Sequence, residues 1–382
     1  MNNAYKYRIY PNKQQTVLLL KTFGCCRFVY NKALHWRNLA YNADKTSLSY
    51  SDTSYGLTAL KHQNLWLKEV DSIALQQALR HLDTAFKNFF TVQGSKYPKY
   101  KSKHHSRKSY TTINQHGTVA VYDTHVKLPK LGLIKASVSR MAPEGWIIKS
   151  ATVSQESDGK FYISVLYEYK DQIIPQSIDI NNAIGLDYKS DGLYVASDGA
   201  VCGSPKYYRK SHKRLAKEQR KLSRKKGSRK GETKSSNFKK QQLKINRIHR
   251  HISNQRLDFL HKRSTEIANR YDIVCVETLN MRSMSNKGFG NGKATLDNGY
   301  GMFLNMLEYK LSDRGKYLIK VDKWYPSSQI CHNCGYKNPV VKDLNVRTVI
   351  CPCCGATYDR DENSSLNIRD EGLRLFKLQS TA

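Results

Sequence analysis

Four cysteines fall into two pairs, Cys331 with Cys334 and Cys351 with Cys354, in the order C-x2-C, sixteen residues, C-x2-C. No other stretch limits the backbone so tightly. Each pair offers two thiolates from one tight knuckle, and Gly335 and Gly355 allow the turns. Four thiolates suit tetrahedral Zn²⁺ at about 2.3 Å, and iron fits a β-rich ribbon less well. Four protein ligands leave no open position, so the expected role is structural. His332 and Cys353 lie inside the knuckles, but the regular spacing argues against either as a ligand. The N-terminus lacks the order of charge, apolar core and cleavage site that marks a signal peptide, and no apolar run approaches the roughly 18 residues of a spanning helix. The expected compartment is therefore the cytoplasm, where structural disulfides are rare.

The 382 residues exceed what one core organises, so two to four domains are expected. Lys plus Arg number 64 against 31 acids, a net charge of +33. A compact chain repels itself at that charge unless counter-charge is bound, so a polyanion is the expected partner, either nucleic acid or an anionic membrane.

Residues 5–10, "YKYRIY", alternate like a strand, and Pro11-Asn12 then opens a helix to about residue 42. Leu75, Leu79, Leu82, Phe86 and Phe89 repeat at helical spacing, so residues 13–92 read as a small helical bundle. The stretch "GSKYPKYKSKHHSRKSY" mixes cations with tyrosines, a pattern equally open to base stacking or to a solvated loop. Residues 118–169 turn β-branched and aromatic, with "SDGK" as a hairpin turn. They predict a small β-barrel into which the bundle is inserted. A linker follows at 170–183, then two strands around Asp191-Gly192. The window 206–250 holds nineteen Lys/Arg and only two acids, Glu218 and Glu232. It reads as two long amphipathic helices joined by a basic loop near 226–237, with one face for phosphate. A buried strand ends at Glu277, a helix covers about 301–313, a strand spans 318–325, and a last helix follows Asp361.

Asp187 and Glu277 thus sit at strand ends and Asp361 at a helix start. That order suits a ribonuclease H-like fold, where such positions bring carboxylates together to hold two Mg²⁺ ions about 3.5–4 Å apart for phosphodiester cleavage. Taken singly, each acid has an ordinary reading: a turn residue, a solvated strand end, or an N-cap for Asp361.

Several ordered motifs, "IGLDYKSDGLYVASDG", "IVCVETLNM", "YPSSQICHNCG" and "CPCCGATYDRDENSSLNI", resemble the TnpB (OrfB) proteins of bacterial insertion sequences. "FGCCRFVYNKAL" and "KYYRKSHKRLAKEQRKLSRKK" match as well, so the resemblance spans nearly the whole chain. It implies an RNA-guided DNA endonuclease related to the type V CRISPR nucleases. The fold it implies is multidomain α+β. A wedge β-barrel (1–12 and 93–180) carries an inserted helical recognition domain (13–92). An RNase H-like (RuvC) nuclease domain (181–325 and 357–382) carries a four-cysteine zinc ribbon (326–356). The family's three acids fall on Asp187, Glu277 and Asp361, with Asp361 preferred over Asp359 in the D-R-D-x-N motif. Implied partners are a guide RNA from the transposon end and target DNA, double- and single-stranded, in a bacterial cytoplasm at the nucleoid. One departure is Ser364-Ser365 where the family has Ala-Ala, for which a slight loss of helix propensity is the expected cost. A strand-transferring transposase, a guided repressor without cleavage and a zinc-ribbon RNA-binding protein are the competing readings.

Overall fold

Tyr5, Tyr7 and Ile9 are buried while their neighbours are more exposed, the period-2 signature of a half-buried strand, β1 (Asn2–Tyr10). The computed structural model describes every residue except 171–176, 230, 287–291, 344 and 381–382. Residues 171–176 of the expected linker and residue 230 of the expected basic loop therefore lie outside the described residues. The chain forms two compact units, Met1–Gln172 and Ile173–Ala382. No helix among the described residues is long and apolar enough to cross a membrane.

In the first unit, β1 pairs antiparallel with β5 (Gly132–Ser137) on one side and β7 (Phe161–Glu168) on the other. The remaining strands are β2 (Lys108–Ile113), β3 (Ala120–Val121), β4 (His125–Leu128) and β6 (Ile147–Gln155). The seven run in the order β2-β6-β7-β1-β5-β4-β3. Gly159, at φ +85°, makes the β6–β7 turn that "SDGK" predicts. Between β1 and β2 the chain leaves the sheet for α1 (Lys13–Asp44), α2 (Tyr50–Gln63) and α3 (Ser72–Thr91). Asn12 and Gln15 form a reciprocal capping box at the start of α1, and the Gln15 amide also donates to the carbonyls of Leu131 and Leu133 at 3.1 and 2.8 Å. The helices share the sheet's core, with Phe23 stacked on Phe161 at 6.5 Å and packed on Tyr110 at 5.8 Å.

The second unit holds a five-stranded sheet in the order β10-β9-β8-β11-β12. Its strands are β8 (Ala183–Tyr188), β9 (Gly192–Ala196), β10 (Val201–Gly203), β11 (Ile273–Glu277) and β12 (Tyr317–Val321). β8, β11 and β12 are parallel, whereas β9 and β10 extend the sheet antiparallel. β12 ends at Val321, short of the expected 325, because Asp322 folds the chain into a turn by accepting the Trp324 N–H at 2.8 Å. The helices are α4 (Tyr207–Ser223), α5 (Ser236–Arg270), α6 (Met281–Met284), α7 (Gly292–Asn298), α8 (Tyr300–Ser312) and α9 (Arg360–Ser380). Leu215 of α4 packs on Ile245, Ile248 and Ile252 of α5. Glu218 clamps the same two helices by accepting from the Gln241 amide at 2.7 Å and pairing with Lys244 at 3.2 Å.

Both faces of the central strands are covered, as expected for parallel strands. Ile184, Leu186, Val274 and Val276 face α5 and α8, meeting Leu260, Ile267, Phe303 and Leu307. Ile273 and Cys275 face the other way, toward Ile368 and Phe376 of α9. α9 lies unusually close to this face. A Cβ on Gly185 would stand 2.0 Å from the Ser365 carbonyl oxygen and 2.7 Å from the Arg369 nitrogen, and one on Gly372 would stand 2.3 Å from the Cys275 sulfur. Backbone cannot yield as a flexible side chain does. Gly185→Ala is therefore expected to destabilise the second unit by about 3 kcal/mol or more, the upper range for overpacking. Thermal unfolding checks this, and a melting profile equal to the parent's would refute the close-packing account.

Candidate active site

Strand parity places the first two acids. Gly185 and Cys275 are register partners, as are Leu186 and Val276, so Asp187 and Glu277 are the next positions on adjacent strands. Both fall on the α9 side, because alternate residues share a face and neighbouring strands lie about 4.8 Å apart. The third acid arrives from α9. Asp359 ends β14 (Thr357–Asp359), which pairs antiparallel with β13 (Thr348–Ile350), and its Oδ1 accepts the N–H groups of Asp361 and Glu362 at 2.9 and 3.0 Å. The N-cap reading of Asp361 is thereby corrected: Asp359 caps the helix, and Asp361 lies in its first turn with its side chain released for other work.

The electrostatics report the convergence. Burial pushes Asp187 well above the usual carboxylate range, and the negative charges of Glu277 and Asp361 push it further, against Arg360 and the Tyr188 N–H. Burial also raises Glu277, opposed by a hydrogen bond from the Ser327 hydroxyl. Asp361 is 18% exposed and is held by Arg347, whose Nη1 lies 3.1 Å from both carboxylate oxygens, with Lys189 at 3.9 Å. Acids from three elements thus lie near enough for the charges of Glu277 and Asp361 to reach Asp187. Such hard oxygen donors, kept partly open to solvent, suit Mg²⁺.

Several supporting residues, Ser327, Asn298 and Tyr300 among them, were not read from the sequence as site residues. Ser327 is 4% exposed and donates to Glu277 Oε1, while the Ser364 hydroxyl of α9 donates to Ser327 Oγ at 3.0 Å. Fifty residues separate Ser327 from Glu277, so no local spacing could show the contact. Ser365 bonds the Glu362 carbonyl at 2.7 Å, so both serines that replace alanine have partners for their hydroxyls. Asn298 donates to the Ser190 carbonyl at 2.7 Å and so holds the turn that carries Lys189. Tyr300 is fully buried, and its hydroxyl is pushed well above the usual tyrosine range by burial and then by Asp187 and Glu277.

The four cysteines converge separately. Their sulfur atoms all lie within 4.8 Å of one another, with Cys331 and Cys354 at 3.8 Å and Cys334 and Cys351 at 3.6 Å. The two knuckles repeat one backbone pattern. Gly335 N–H bonds the Cys331 carbonyl at 2.8 Å and Gly355 N–H the Cys351 carbonyl at 2.9 Å. The cysteine N–H groups bond the carbonyls of Tyr336 and Ala356, each at 2.9 Å. The Ala356 N–H and the Asn333 side chain bring the Cys354 thiol down to about 6, favouring the thiolate that a metal binds. The His332 ring faces Asp370 at 3.5 Å, and Cys353 stands outside the group of four. Among the described residues this is the one set of three or more His, Cys, Asp or Glu whose ligand atoms lie that close together; Asp187, Glu277 and Asp361 influence one another but do not form such a set.

Residues 300–368 match the family model described as Cas12f1-like, TNB domain, and residues 164–287 match one described as "Probable transposase". Residues 1–46 match one described as a helix-turn-helix domain, although they form β1 and a single uninterrupted helix. A protein of Streptomyces pristinaespiralis, named as a proposed RNA-guided DNA endonuclease, is 39% identical over 98% of this chain and 90% of that one. InsQ of Escherichia coli K12, named likewise, is 31% identical over 97% of this chain and 92% of that one. Among solved structures, a Cas12f1 from a complex with guide RNA and target DNA aligns over 97% of this chain and 98% of its own, with TM-score 0.59 at 12% identity. The mini RNA-guided endonuclease Cas-phi3 aligns over 98% and 92%, with TM-score 0.52 at 8% identity. These likenesses are of fold: multidomain α+β with several sheets.

Metal analysis of the purified chain is expected to find one Zn²⁺ per molecule, and Cys351→Ser to lose it. Because binding to such a set couples to folding, chelation should also lower the melting temperature. A metal-free chain of unchanged stability would show that the thiols act without an ion.

Proposed function

This chain belongs to the TnpB family, and from that premise we propose that it is an RNA-guided DNA endonuclease that cuts beside a short adjacent motif. The observation that supports this reading is the placing of Asp187, Glu277 and Asp361 at two strand ends and a helix start, with Asp187 raised first by burial and then by the charge of the other two. In this reading the helical recognition domain (13–92) and nearly all of the wedge barrel (1–12 and 93–180) fall in the first unit, which ends at Gln172. The second supplies the RuvC-type domain (181–325 and 357–382) and the zinc ribbon (326–356).

Asp187, Glu277 and Asp361 would hold Mg²⁺, which when bound supplies Lewis-acid activation of water and stabilisation of the leaving oxygen. The protein's own residues prepare that site. Ser327 occupies Oε1 of Glu277 and so fixes which way the carboxylate turns. Arg347 and Lys189 pair with Asp361 and place positive charge where a phosphodiester must enter. The cations of α4 and α5 track nucleic-acid phosphates. Their window's two acids are already engaged, Glu218 with Gln241 and Lys244, and Glu232 with the Gly227 N–H at 2.8 Å. Sequence is read by the pairing of guide and target, while the protein reads the short motif. The match to a model described as "Probable transposase" favours a second reading, strand transfer by the same acids. Joined rather than broken DNA products would distinguish it.

The chain expressed with its native flanking DNA is expected to co-purify with a discrete RNA ending in a segment that matches the element's border. With that RNA, wild-type protein should cut matching DNA in Mg²⁺, whereas Asp187→Ala should retain the RNA and not cut. Equal cutting by the variant would sink the acidic assignment. Log affinity for the RNA should fall linearly with log salt, by about 0.7–0.9 per phosphate contacted. Ser327→Ala should raise the Mg²⁺ concentration for half-maximal cutting by about 10- to 100-fold, the usual cost of losing a group that orients a ligand. An unchanged Mg²⁺ dependence would remove Ser327 from the site.

A further inference from the structure

A tyrosine hydroxyl buried without a hydrogen-bond partner costs stability that a phenylalanine would not, and native folds keep few of them. Tyr300 is fully buried, and among the described residues its hydroxyl has no partner. The same holds for the Tyr188 hydroxyl and the Asn298 side-chain oxygen. The three residues are neighbours. Asn298 lies two positions before Tyr300, and the rings of Tyr188 and Tyr300 are 4.8 Å apart.

The start of α8 is fixed against the strand end that carries Asp187. Gly299 takes φ +68°, and a Cβ there would stand 2.8 Å from Met302 Cε. Its carbonyl accepts the N–H groups of Met302 and Phe303 at 3.0 and 3.1 Å, which sets Tyr300 at the first position of the helix. The Asn298 amide ties this start to the turn after β8 through the Ser190 carbonyl. Tyr188 ends β8, directly after Asp187, and packs with Tyr300 in the core opposite α9. After burial, the charges of Asp187 and then Glu277 raise the Tyr300 hydroxyl most. The three acids are also unequally supported. Glu277 has the Ser327 hydroxyl, and Asp361 has Arg347 and Lys189. Among the described residues Asp187 receives a hydrogen bond only from the Tyr188 N–H.

We propose that Tyr300 is a positioning residue for Asp187. Its hydroxyl donates to the Asp187 carboxylate through one water molecule, which the Tyr188 hydroxyl also holds. Tyr300 thereby fixes Asp187 from the α8 side as Ser327 fixes Glu277. The core itself gains nothing from this hydroxyl, since a phenylalanine would fill the same space. The inference rests on the reading of Asp187 as a Mg²⁺ ligand.

Tyr300→Phe removes the hydroxyl and keeps the ring. Two readouts are taken on the full chain. One is the Mg²⁺ concentration for a half-maximal rise in melting temperature without nucleic acid. The other is that for half-maximal cutting of DNA matched to the co-purified RNA. Both should rise about tenfold, the lower end of the usual cost of losing a group that orients a metal ligand. The metal-free melting temperature should hold or rise. Tyr194→Phe is the control. Tyr194 stacks on Phe303 in the same core at 5.5 Å, and its hydroxyl is bonded to Cys202. That variant should lose stability and keep the wild-type Mg²⁺ dependence. If Tyr300→Phe behaves like Tyr194→Phe, or like the wild type, this inference alone falls. A Mg²⁺ shift shared by both variants would trace to the core and overturn it as well. A wild-type chain whose melting ignores Mg²⁺ and which cuts no matched DNA would overturn the acidic-site reading and this inference with it.

Discussion

Ser365 and Arg369 of α9 pass over Gly185 of β8 with their backbones closer than a methyl group would allow. About one turn further along, Gly372 meets the side chain of Cys275 of β11, where a Cβ would stand 2.3 Å from the sulfur. Two glycines, one in the sheet and one in the helix, thus set the height of α9 above two adjacent strands. Asp187 lies two residues beyond Gly185, and Glu277 two beyond Cys275, on the same face. Asp361 lies one helical turn before Ser365. A helix seated higher would carry Asp361 away from both strand ends. The acidic site is therefore built by packing before it is built by charge.

Charge then separates these acids from the rest. In a chain with 64 cations and 31 acids, a carboxylate should find positive partners readily. Most of those near the site do. Asp297 caps α4 through the N–H groups of Tyr208 and Arg209 at 3.0 and 3.3 Å and pairs with Arg256 at 3.4 Å. Glu218 joins α4 to α5. Asp187 instead has two carboxylates among its largest influences, and burial raises it further. Such repulsion, kept where cations are plentiful, is what the proposed Mg²⁺ site would require.

The sequence carried the elements well, because their signals are local. Alternation marked β1 and the first unit's strands, helical spacing marked α3 and α5, and the cysteine spacing marked the knuckles. Asp187 and Glu277 were legible because short apolar runs ended on them. Asp361 could be told from Asp359 only by resemblance, since both sit near a helix start. The two had to be seen in place for the cap to fall to Asp359. Ser327 and the seating glycines were not legible at all. Their roles are contacts between residues far apart in the chain, and a glycine in a strand looks the same whether it faces solvent or a helix backbone.

The position of the ribbon follows from this geometry. Asn363 accepts the His332 N–H at 2.8 Å and donates to the Ile330 carbonyl at 2.7 Å, so the first knuckle is tied to α9 two residues after Asp361. Asn367 donates to the same Ile330 carbonyl and to the Ser327 carbonyl, at 2.7 and 2.8 Å. Arg347, on the segment between the two cysteine pairs, reaches back to Asp361 itself. Ser327, four residues before the first cysteine, reaches Glu277. The chain from 327 to 363 is thus a closed excursion pinned at its start, middle and end to the acidic site. Fixing the thiols on one ion would remove the freedom of that loop and, with it, the freedom of the groups that orient Glu277 and Asp361. An ion with no open coordination position can therefore still govern the chemistry beside it, by deciding how firmly two of the three carboxylates are held.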